Sequence, residues 1–119
     1  NTYTNAKAKL RGNTTVYTAP STGTSIIKSI RVTNTDQNVD NEITLSVTDS
    51  SSVEFIFEIN RVIQKGSSQE LLATGNMLID SADSSVASTS PIILKSSEVL
   101  KATTTGSDIH LVASILEMT

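Results

Sequence analysis

The chain has 119 residues, 37% hydrophobic and only 3% aromatic, with a formal net charge of -3 and no cysteine. That length suffices for one domain, 1–119, with a real core, which must be built from Ile, Val, Leu and Ala. Disulfides and thiolate metal sites are excluded, no basic stripe interleaves with aromatics to suit nucleic acid, and no apolar run nears the ~20 residues of a membrane-spanning helix.

Ser and Thr fill roughly 29% of the chain, well above ordinary globular usage. Thr suits exposed strand positions and Ser suits turns. The chain starts at Asn1 without Met, so an initiator or longer leader is expected to have been removed or to lie upstream.

Residues 3–10 set Lys7 and Lys9 against Ala6, Ala8 and Leu10, which predicts a first strand turned by Gly12-Asn13. Residues 14–18 form a short second strand, with either Val16 or Tyr17 inward. After a Pro/Gly loop, residues 25–34 read as a strand with Ile26, Ile30 and Val32 on one face. Residues 35–41 are a polar connection.

The stretch 42–59 is the clearest. Glu42 to Thr48 alternates without a fault, Asp49-Ser50-Ser51-Ser52 turns, and Val53 to Ile59 resumes. Period-2 alternation puts Ile43, Leu45, Val47, Val53, Phe55, Phe57 and Ile59 on one dry face, and it leaves Ile56 as the apolar residue on the wet one. Phe55 and Phe57 are therefore expected in the core.

Further on, 70–73 and 77–80 read as short strands, and 81–90 as a mobile polar loop. Pro91 restarts the chain at a strand edge. Residues 92–94, 99–104 and 108–118 complete the set. Residues 109–116 are apolar on both parities, which predicts burial on both faces or a central strand with an oligomer contact behind it. No segment shows a clean helical period. The expected fold is all-β: an antiparallel, jelly-roll-like β-sandwich of about eight strands.

Chemical candidates are few. Asp36-x-Asn38-x-Asp40 copies half of a calcium loop, but Asn41 stands where glycine is needed and Val47 where glutamate is needed. A solvated turn is preferred there, and likewise for Asp80 and Asp83. His110, two residues after Asp108, is the chain's one imidazole, and no Gly-x-Ser-x-Gly elbow accompanies it, so a packed or interfacial role is preferred to catalysis. Glu54 and Glu58 lie about 13 Å apart along a strand, too far for a glycosidase pair. Sugar platforms need aromatic faces, and only Tyr3 and Tyr17 are on offer. Asn13-Thr14-Thr15 matches a glycosylation sequon at near-background specificity. No catalytic residue, cofactor or metal site is expected. Lys7, Lys9 and Arg11 share one strand parity and form a candidate basic edge; with Ile56 and His110 they are the candidate contact residues.

Several phrases carry a resemblance. They are Thr15-Val16-Tyr17-Thr18-Ala19-Pro20, Ile27-Lys28-Ser29-Ile30-Arg31-Val32-Thr33-Asn34-Thr35-Asp36, Ile43-Thr44-Leu45-Ser46-Val47-Thr48-Asp49-Ser50-Ser51, Glu98-Val99-Leu100-Lys101-Ala102, and the stretch Ser107 to Glu117. With these, the chain resembles small virion proteins of tailed bacteriophages. Each phrase is a strand-and-turn pattern, not an active-site motif. The resemblance implies a compact β-sandwich on the outer surface of a virion, a capsid decoration or cement protein. It also implies the major capsid protein and further copies of the chain as partners, the latter as a trimer over junctions between capsid subunits. The 81–90 loop is longer than the matching turn in such sequences. The competing reading is a neck, tail or fibre part that binds a receptor or glycan through Tyr3, Tyr17 or the acidic loops.

Overall fold

The computed structural model describes residues 1–74, 88–89 and 91–118. Its strands are β1 (Thr2–Leu10), β2 (Asn13–Thr18), β3 (Thr24–Asn34), β4 (Asn41–Thr48), β5 (Glu54–Ile63), β6 (Ser68–Glu70), β7 (Ala73–Thr74), β8 (Ser88–Thr89), β9 (Ile92–Leu94), β10 (Val99–Thr104) and β11 (Ile109–Met118). Among the described residues no helix is long and apolar enough to cross a membrane.

Two antiparallel sheets face each other. One has the order β1-β11-β3-β6, with β9 also pairing β3; the other has the order β2-β10-β4-β5. The chain alternates between sheets through β4, stays in one sheet for the β4–β5 hairpin, and alternates back. That is a jelly roll, with the place of one long strand shared by the three-residue strands β6 and β9. Among the described residues the two sheets thus hold nine strands where about eight were expected, and β7 and β8 make a separate two-stranded ladder. The expected strand at 70–73 is divided between β6 and β7. Ser88–Thr89, expected within a loop, pair with Ala73–Thr74. The strand expected at 77–80, with Asp80, Asp83 and most of the 81–90 loop, lies outside the described residues.

The core is aliphatic, as the composition requires. Leu10, Ile27, Ile30, Val32, Ile43, Leu45, Ile63, Leu94, Leu100, Ile109, Leu111 and Ile115 are all sealed from solvent. Burying each such side chain contributes about 1.5–3 kcal/mol. Strand β11, between β1 and β3, buries Ile109, Leu111, Ala113 and Ile115 and turns His110 and Val112 outward, so it is dry on one face only.

Register shifts explain where simple alternation misleads. Ser114 pairs with Ser29 but Ile115 pairs with Ile27, so Lys28 is an extra residue in β3. One extra residue exchanges the faces of everything beyond it. Ile27, not Ile26, is consequently the buried partner of Ile30 and Val32. In β2, Leu100 pairs with Tyr17 and Lys101 with Thr15, which leaves Val16 as the extra residue. Val16 and Tyr17 both pack against the core as a result.

Two polar knots lock the sandwich. Asn34 is fully buried; its Nδ2 donates to the carbonyls of Val39 (2.9 Å) and Ile63 (3.0 Å), and its Oδ1 accepts from Asp36 N (3.0 Å) and Asn41 Nδ2 (3.2 Å). Its amide is thus fully used, as a buried amide must be. Tyr17 of β2 reaches the other sheet, where its hydroxyl donates to Glu117 Oε2 at 2.5 Å and lies 3.0 Å from Ser25 Oγ. Burial first, then the bond to Glu117, pushes the Tyr17 hydroxyl above its ordinary pKa of 10.0.

Candidate functional site

The outer face of the β1–β11–β3 sheet carries side chains in rows set by the register. Lys7 lies opposite Val112, which lies opposite Arg31; Lys9 lies opposite His110, which lies opposite Thr33. Lys7, Lys9, His110 and Arg31 are all exposed. Between the edge strand and its neighbour runs a shallow groove lined by Lys7, Ala8, Lys9, His110, Leu111 and Val112, in which Val112 stands outward beside the basic side chains while Leu111 is buried and Ala8 packs against the core. Of the expected contact residues, Lys7, Lys9 and His110 thus come together. Arg11 does not join their strand: β1 ends at Leu10, and Arg11 sits in the turn before Gly12, whose φ is +63°. Arg31, distant in sequence, joins the basic patch instead, a juxtaposition that only strand pairing creates. Glu70 lies opposite Arg31, and its carboxylate accepts the backbone N–H groups of Ile30 (2.7 Å) and Leu72 (3.3 Å).

Farther along the same face, Tyr3, Leu116, Ile26 and Ile93 are successive cross-strand partners and form an apolar row. Tyr3 and Ile93 are exposed.

The second feature is β5, at the edge of the other sheet. Ile56 is 51% exposed, as its parity predicts. Val53, Phe55 and Ile59 were expected in the core and are not there: they are 48%, 59% and 63% exposed. Val62 is exposed as well, Phe57 packs only partly on the core, and Ile63 is the strand's fully buried anchor. The reason is local. The β4–β5 register shifts twice, between Ile43 and Leu45 and between Leu45 and Ser46, and Asn60 takes a left-handed φ of 49°. Across the sandwich, β6 and β9 are too short to roof a ten-residue strand. Sequence alternation sorts residues onto faces, but it does not tell whether a second layer covers a face.

The remaining candidates are structural. Asp36 Oδ1 accepts from Asn38 N (2.8 Å) and Val39 N (3.1 Å), while Asp40 Oδ1 accepts from Lys65 N (2.9 Å). These carboxylates cap backbone rather than converge, and among the described residues no group of three potential metal ligands occurs. Glu54 accepts from Ser46 Oγ at 2.6 Å, and Glu58 meets Arg61 at 3.3 Å. The Asp108 carbonyl takes both the N–H and the hydroxyl of Thr35, each at 2.8 Å. Among the described residues no hydrogen bond links Asp108 to His110.

No family model and no curated protein matches the chain. Among solved structures, two of a pentameric capsid protein isolated from metagenomic phage sequences align with 97% of this chain at 14% identity and a TM-score of 0.47. The structure of infectious bursal disease virus, Gx strain, aligns at 13% identity with a TM-score of 0.40. The chain spans 61–62% of the phage capsid protein's length and 29% of the other.

Proposed function

We propose that this protein is a non-enzymatic structural component of a bacteriophage virion, a capsid decoration or cement protein on the outer surface of the shell. The observation that carries the reading is the β5 edge. Phe55, Ile56, Ile59 and Val62 on this edge strand, and Val53 in the turn before it, are large apolar side chains left exposed. Large apolar side chains gathered on an unpaired edge strand favour a protein contact. The basic face around Lys7, Lys9, Arg31 and His110 gives a second, polar docking surface. The resemblance of the strand-and-turn phrases to small phage virion proteins points the same way. Jelly rolls also serve as lectins and cupins. Tyr17, an expected sugar contact, is committed to Glu117 and Ser25, which weakens the glycan reading.

The test is copy number per particle, by quantitative mass spectrometry of purified virions. Hundreds of copies mean the capsid; a dozen or fewer mean neck, tail or fibre and overturn the decoration role. Loss of incorporation by His110→Ala, with folding intact, would place His110 at the contact.

A further inference from the structure

We infer that the outer face of the β1–β11–β3 sheet docks on a carboxylate-rich patch of a different protein. The inference rests on the structural role proposed above and adds to it the chemistry of the partner surface.

The first argument is uncompensated charge. Lys7 and Lys9 stand two residues apart on β1, roughly 7 Å, and Arg31 lies two strands from Lys7, roughly 10 Å. Those spacings are comparable with the ~8–10 Å Debye length at 0.1–0.15 M salt, so the cations repel one another and an anionic partner relieves the repulsion. Lys28 adds a fourth cation. Strict alternation from the buried Ile30 would turn Lys28 inward; the bulge in β3 leaves it exposed instead. Among the described residues the one ion pair is Arg61 with Glu58, so these four cations have no carboxylate of their own. Glu70, opposite Arg31, turns its carboxylate to the backbone N–H groups of Ile30 and Leu72.

The second argument is the source of the neutralising groups. Among the described residues, every carboxylate except those of Glu42 and Asp108 already accepts a hydrogen bond within its own chain. A second copy therefore has little to offer this face, and the carboxylates come from another molecule. The third argument selects protein over nucleic acid. Val112, 43% exposed, stands between Lys7 and Arg31, and the apolar row from Tyr3 to Ile93 continues the same face. A phosphate backbone would use the cations and leave the apolar groups idle, and a chain of net charge -3 repels the rest of a polyanion. A folded protein surface offers carboxylates among apolar atoms.

Fluorescence anisotropy tests the face, with the full chain titrated into a labelled random copolymer of glutamate and tyrosine or into labelled duplex DNA at the same salt. Wild type is expected to bind the copolymer more tightly than the DNA, and about 1 M salt to weaken that binding. Lys7→Gln with Arg31→Gln is expected to weaken it about tenfold, as for the loss of two exposed ion pairs. Lys65→Gln with Lys101→Gln removes the same charge from the turn after β5 and from β10 of the other sheet, and is expected to change it less than about twofold. Absent copolymer binding, tighter binding to DNA, or equal loss in the two double variants each overturns the inference. So does wild-type self-association in sedimentation velocity that Lys7→Gln with Arg31→Gln abolishes, since the chain's own carboxylates would then fill the face. Circular dichroism checks folding, and Lys9→Gln with Lys28→Gln replaces the first variant if it is misfolded. In purified virions, wild-type copy number of the Lys7/Arg31 variant overturns this face and leaves the structural role standing. Copolymer binding by a chain that virions lack keeps the face and sinks the role.

Discussion

Asn34 shows how much one side chain can carry. It ends β3, ties the 35–40 connection to β5 through the carbonyls of Val39 and Ile63, and is braced by Asn41. Asn34→Ala strands buried carbonyls and the Asp36 N–H, and should cost about 3 kcal/mol in urea denaturation. Asn34→Asp should cost a similar amount, because a carboxylate cannot donate to those carbonyls. Gly106 is a second such point. Its φ is +72°, and a Cβ there would lie 2.8 Å from Asn41 Oδ1. Gly106→Ala should therefore destabilise by about 2 kcal/mol, while Gly12→Ala, with φ of +63° and open space around it, should cost about 1 kcal/mol. Tyr17 makes a pH prediction. Its folded pKa is raised, so the folded state holds the proton more tightly than the unfolded chain does. The associated stability is present below pH 10.0 and is lost as pH rises above it. Tyr17→Phe should lose about 1 kcal/mol at neutral pH and lack that alkaline decline, as thermal melts across the range would show. Neither Asn34 nor Gly106 stands out in the sequence, since a polar strand end and a turn glycine are common.

Among the elements, β4 and β5 make an instructive pair. The turn between them is legible residue by residue: Asp49 Oδ1 accepts from Ser51 N (2.9 Å) and Val53 N (3.0 Å), and Ser52 takes the left-handed φ of 67°. Strand β4 follows its alternation, with Ile43 and Leu45 fully buried. Strand β5 departs from it through two register shifts and a short facing edge. The difference is measurable. Ile63→Ala, at the buried end, should cost about 2–5 kcal/mol by cavity formation. Phe55→Ser on the same strand should change stability by no more than about 0.5 kcal/mol, as at other exposed positions. If Phe55→Ser unfolds the protein instead, its side chain is core and the edge surface does not exist as described.

For the whole molecule, the jelly-roll order places the two terminal strands side by side: β1 pairs with β11 from Thr2↔Glu117 to Leu10↔Ile109. Removing residues 1–10 should bare one side of β11 and take Ala6 and Leu10 out of the core, and the shortened chain should fail to show cooperative unfolding in calorimetry. Because among the described residues most pairings other than the β4–β5 hairpin join distant segments, folding should be slow, in the millisecond-to-second range typical of non-local β topologies by stopped-flow.

The all-β class, the aliphatic core, most strand positions and the turns were determined locally. Alternation, turn chemistry and the scarcity of aromatics are properties of neighbouring residues and need no fold to be read. The joining of Arg31 to Lys7 and Lys9, the amide knot at Asn34 and the exposure of Phe55 and Ile59 were decided only by tertiary structure. A period of two tells which residues share a face; strand pairing decides which distant residues meet on it, and bulges and the reach of the opposite sheet decide whether it is buried.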